Sequence, residues 1–161
     1  MGGSTLHSWW AGAAPWPGLG GQFSASYGWA YGAQTRRLVA FSLDGEETLP
    51  PQPDPFVPVP IEADFAVDAA WAEQGAQAFG LCAACHGPGV VSAGMAPDLR
   101  ASSIVTTLEP FAGVVRDGTL AFRGMPVYAD ITFDQLTGLQ HYIRQQAEVA
   151  LAAGEEGGGR E

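Results

Sequence analysis

Apolar residues in the second half of the chain recur at helical intervals, and three stretches carry the pattern. In "ITFDQLTGLQHYIRQQAEVALAA", Leu136, Leu139, Ile143 and Ala147 form one stripe, the mark of a helix with a single buried face. Thr132 and Gln135 stand ahead of it at capping-box spacing. "DFAVDAAWAEQGAQAF" carries Val67, Trp71, Ala78 and Phe79 at near-helical recurrence and runs straight into "GLCAACH". "TTLEPFAGVVRDG" predicts a short helix: Phe111, Val114 and Val115 are apolar, Pro110 falls in the first turn, and Gly118 lies just past the end. The intervening "GPGVVSAGMAPDLR" and "TLAFRGMPVYAD" are rich in breakers and read as loops.

The first third has another texture. Residues 1–48 are rich in Gly, Trp and Tyr; Leu38 to Leu43 is a β-compatible run, Asp44-Gly45 supplies a turn, and "SYGWAYG" is a candidate neighbouring strand. Two strands with open edges are marginal alone, so this region reads as cut from a larger sheet. Next, the prolines of "LPPQPDPFVPVPIEAD" remove backbone donors and favour extended geometry. Residues 49–63 are therefore either a semi-rigid spacer or a segment wrapped over a domain surface. The expected organisation is a β segment over 1–48, a Pro-rich linker over 49–63, an all-α domain over 64–150, and a disordered tail over 151–161.

Length and charge narrow the options. The 161 residues suit one ordinary domain, or a small domain with an appendage. No apolar run reaches membrane-spanning length, so the chain reads as soluble with no membrane span. "MGGSTLHSWW" has neither the basic nor the apolar part of a signal peptide. The net charge is −10 and every basic residue is an arginine, which argues against nucleic acid as a partner.

The chemistry concentrates at Cys82, Cys85 and His86, which hold the chain's two cysteines. Cys-x-x-Cys-His is the attachment pattern for c-type haem. At the close of a helix, two thiols three residues apart reach two vinyl groups on one porphyrin edge, and the adjacent histidine is held beneath the iron. Two alternatives stand beside it. Cys82, Cys85, His86 and His141 are the available zinc donors, although no second paired motif exists. A thiol redox pair would open a helix after a strand, whereas this motif closes one.

The haem reading asks for a second, sulfur ligand downstream. Met95 and Met125 are the candidates, and core filling is the other use for either. Nine extended residues span roughly 30 Å, so length does not exclude Met95. Met125 is favoured, because its Gly-Met-Pro turn would fix its direction. Pro97 is the expected acceptor for the other ring nitrogen of His86. Arg100 and Arg123 are candidates to bond haem propionates, with ordinary surface roles as the alternative.

With "LCAACHGPGVVSAGMAPDLR", "RDGTLAFRGMPVYAD" and "LTGLQHYIRQQA" on the page, the region from Asp64 to Val149 resembles a monohaem cytochrome c domain of the class I type. More narrowly, it is similar to the C-terminal haem domain of quinohaemoprotein alcohol dehydrogenases. In those periplasmic enzymes an eight-bladed propeller carrying pyrroloquinoline quinone (PQQ) precedes such a domain. "GWAYGAQTRRLVAFSLDGEETLPP" resembles the end of that propeller.

The resemblance implies haem c, with Cys82 and Cys85 as thioether cysteines, His86 and Met125 as iron ligands, and Pro97 orienting the histidine. It pairs Gly75 and Phe79 on the first helix with Leu139 and Tyr142 on the last. The interval from Phe79 to Cys82 is one residue shorter than the family's usual pattern. PQQ, calcium and the catalytic aspartate belong to propeller parts with no counterpart here. The implied function is electron transfer from the PQQ propeller domain to an external acceptor protein or quinone, in the periplasm. A stand-alone monohaem cytochrome c is the alternative within this class.

Overall fold

A computed structural model describes residues 58–92 and 95–158, together with 43, 44, 46 and 48. The strands expected before Leu43 lie outside the described residues. Among the described residues four α-helices are formed: α1 (Ala69–Ala78), α2 (Gly80–His86), α3 (Leu108–Val115) and α4 (Phe133–Gly158). Short 3-10 turns link them, and among the described residues there is no strand. The helical part is all-α, as the periodicity indicates.

Each boundary has a local cause. The Asp68 carboxylate caps α1 by accepting from the Ala70 and Trp71 N–H groups at 2.8 and 3.0 Å. The capping box ahead of α4 is reciprocal: Thr132 N–H donates to Gln135 Oε1, and Gln135 N–H donates to Thr132 Oγ1. Helix α4 continues to Gly158, past the boundary drawn at residue 150. What reads as one helix entering the cysteines is two. The break falls at Phe79, whose ring is buried, and Gly80, a poor helix former, opens the second helix.

The core forms where α1 crosses α4. Leu136, Leu139, Ile143 and Ala147 are all buried along α4, opposite Ala72 and Phe79. Gly75 makes the crossing close: a Cβ placed there would lie 1.9 Å from the Gly138 carbonyl oxygen. The Phe79 and Tyr142 rings meet at 5.3 Å, so the first and last helices dock in the expected register despite the short interval to Cys82. Helix α3 adds Phe111, Ala112 and Val115 to the same core, with Val90 and Val105 from the connecting turns. Gln140, buried on α4, donates to the Val105 carbonyl at 2.9 Å and ties the turn to the helix. No helix among the described residues is long and apolar enough to cross a membrane.

Candidate haem site

Helix α2 places Cys82, Cys85 and His86 at i, i+3 and i+4, which puts both thiols and the imidazole on one face. Gly87, at φ 82°, ends the helix directly after the histidine. That face looks into a cavity of about 450 Å³. Phe79, Leu99, Val105, Phe111, Leu139 and Ile143 supply apolar wall.

His86 is buried, and its Nδ1 lies 2.8 Å from the Pro97 carbonyl oxygen. A carbonyl only accepts, so Nδ1 carries the proton and Nε2 keeps its lone pair. Burial pushes the ring's pKa below its ordinary value, opposed by the Pro97 bond and the nearby Asp98 carboxylate. The neutral imidazole that results is the form a metal requires. The loop presenting Pro97 is itself held: the Ser92 hydroxyl donates to the Ala96 carbonyl, and Asp98 caps the turn that follows.

Both candidate methionines reach this cavity, and their settings differ. Met125 packs against the core cluster and follows Gly124, whose φ of 92° turns the chain sharply. Met95 also borders the cavity but is 49% exposed. The two arginines separate as well. Arg123 stands at the cavity rim. Arg100 is not among the lining residues; its guanidinium is bidentate on Asp98, at 2.7 and 3.0 Å.

The residues fit a c-type haem better than the alternatives. An imidazole nitrogen, a thioether sulfur and two unpaired thiols share one apolar cavity, with no residue left to be supplied from elsewhere. For zinc, no group of three or more His, Cys, Asp or Glu is placed to hold a metal among the described residues. His141 is engaged elsewhere, its Nδ1 accepting the Asp68 N–H at 3.0 Å and its ring tilted against Phe65. For a redox thiol, burial, reinforced by Cys85, pushes the Cys82 thiol up to about 11, away from the thiolate such chemistry needs.

No family model matches the chain. Individual proteins do. Over 144 residues, 86% of the chain, it is 33% identical to the dehydrogenase subunit of an alcohol dehydrogenase (quinone) from Gluconobacter oxydans (strain 621H). It is 40% identical over 142 residues to the corresponding subunit of Gluconacetobacter polyoxogenes. Over 98 residues, 58% of the chain, it is 43% identical to the quinohemoprotein alcohol dehydrogenase ADH IIB of Pseudomonas putida. The chain is a relative of the quinohaemoprotein alcohol dehydrogenases. It spans 18%, 18% and 14% of these three relatives' lengths, a small part of each.

Against that quinohaemoprotein background, the structure adds residues the sequence reading passed over. Gly138 is half of the helix crossing, and its only sequence signal is a glycine inside an otherwise strong helix. Asp98 both caps a turn and occupies Arg100, which their separation by one residue within a loop allows. Arg144 is 1% exposed on α4, an unusual place for a charge.

Proposed function

We propose that residues 64–150 form a class I-type monohaem cytochrome c domain that relays electrons one at a time. The observation carrying this reading is the shared cavity. His86, oriented by the Pro97 carbonyl, borders it together with Cys82, Cys85 and Met125. When bound, the haem supplies a one-electron couple.

The chain's residues do the rest. Cys82 and Cys85 would hold the group as thioethers, and His86 Nε2 and the Met125 sulfur would bind its iron. Phe79, Phe111, Leu139 and Ile143 give the cavity its apolar wall. Arg123, at the rim, is the propionate partner that the geometry favours. Arg100 holds Asp98 through Nε and Nη2, which leaves its Nη1 donors outside that pair.

In the larger protein, the donor would be a PQQ-bearing, calcium-dependent propeller domain, and the acceptor an external protein or quinone. The relatives' names, as quinone and quinohemoprotein alcohol dehydrogenases, support a quinone-linked setting; the periplasm, where c-type haem is attached, is the location proposed with it. The test is expression with and without haem-attachment machinery, followed by the visible spectrum of the reduced, denatured protein. A covalent haem signal, lost in Cys82→Ser/Cys85→Ser, is expected. Colourless matured protein would overturn the proposal.

A further inference from the structure

Residues 58–67 lie along the helical domain before α1 begins, with a tight turn at Asp64 where the Phe65 N–H donates to the Ala63 carbonyl at 2.9 Å. From Ile61 to Val67, partly buried and exposed positions alternate, with Ile61, Ala63, Phe65 and Val67 turned inward and Glu62, Asp64 and Ala66 outward. This strap is fastened at both ends to α4. At one end, Asp68 N–H donates to His141 and Phe65 tilts against the same ring. At the other, both backbone groups of Ile61 are taken: its N–H donates to the Arg100 carbonyl at 3.0 Å, and its carbonyl accepts from Arg144 Nη2 at 2.7 Å.

Arg144 is a costly residue for this duty. Its side chain is buried, and Nε and Nη1 have no hydrogen-bond partner. With Glu148, one turn on along α4, as the charge acting on it, the buried guanidinium places its hydrogen bond on the strap. Ile61 then hands the connection on. Arg100, whose carbonyl it bonds, is paired with Asp98, and Asp98 follows Pro97, the acceptor for His86. Ile143, beside Arg144, borders the cavity directly.

We propose that Arg144 is a positioning residue that locks the entering strap onto the loop orienting His86, so that strap, loop and terminal helix form one rigid piece. This rests on the haem reading only in taking His86 as an iron ligand. A side chain that bonds the strap backbone on one helix and neighbours a cavity wall couples the two without touching the cofactor.

The test uses the full chain matured with haem and follows amide hydrogen exchange at Ile61, with proteolysis after the exposed Glu62 as a second readout. In the wild type the Ile61 amide is expected to be protected and the strap to resist cleavage. Arg144→Met fills similar space without the donor; Ile61 should then exchange about tenfold faster or more, while core amides of α4 hold. Arg144→Lys, with one donor restored, should recover part of the protection. In Arg144→Met the His86 Nδ1 proton should also exchange faster with solvent. Ile61 exchange unaltered in Arg144→Met would overturn the proposal. If that variant does not fold, the wild type decides: an unprotected Ile61, or ready cleavage after Glu62 in folded protein, sinks the clamp. Covalent haem is read separately from the denatured spectrum, and its absence would count against the electron-transfer reading and not against the clamp.

Discussion

Gly75 and Gly138 meet backbone to backbone, and a Cβ on Gly75 would lie 1.9 Å from the Gly138 carbonyl oxygen. Nothing flexible stands there to give way. Gly75→Ala must separate α1 from α4, at an expected cost of about 3 kcal/mol or more. Gly80, by contrast, has nothing within 4 Å of its Cβ position, and Gly80→Ala should be neutral or gain about 0.5–1 kcal/mol. Thermal melts of the two matured variants check this. Equal melting temperatures would refute the close crossing.

Met125 and Met95 can be told apart by spectrum. Met125→Ala should abolish the absorption characteristic of sulfur bound to ferric haem iron and leave a five-coordinate or water-ligated centre. Met95→Ala should retain it, since Met95 is half exposed and stands apart from the packed core. The reverse result would move the axial role to Met95.

The cavity sets the stability of the haem-free chain. The porphyrin faces that would fill it bury several hundred Å² of apolar surface, on the order of 10 kcal/mol at about 25 cal/mol per Å². That is comparable to the whole stability of an ordinary domain, about 5–15 kcal/mol. Protein made without haem attachment should therefore show no cooperative thermal transition by circular dichroism. A sharp melt would contradict this.

Acid should release His86 late. Burial holds the ring's pKa in the folded state below the ordinary 6.5. Its contribution to stability is thus present above pH 6.5 and is lost as the pH falls through the lower folded value. In matured protein the iron would also occupy the nitrogen that acid must reach, which adds to this shelter, so the visible spectrum should show ligation intact through pH 6.5 and lost only in more acidic solution. Loss centred at or above 6.5 would show that the ring is not sheltered.

The local features were legible in the sequence. The stripe on α4, its capping box, and the Cys-x-x-Cys-His face each depend on residues within a few positions of one another, so periodicity reveals them. Gly124 and Pro126 around Met125 are likewise local. What escaped notice depends on distant partners. Gly138 has meaning only once Gly75 is placed against it. The strap is fixed by a bond across 83 positions, from Arg144 to Ile61, and an arginine in a helix looks like solvated surface until its burial is seen. Arg100 is the instructive case: its charge suggested a propionate, and its pairing with Asp98, two residues earlier, shows only in the fold.

Phe79 ends α1, begins α2, packs on Tyr142 and borders the cavity, all with one buried ring. A side chain with that many duties leaves the scaffold no seam along which to come apart. Detaching the first helix from the last would strip the cavity of a wall in the same motion. Denaturation of the matured chain should accordingly register as a single event, with colour and helicity vanishing together.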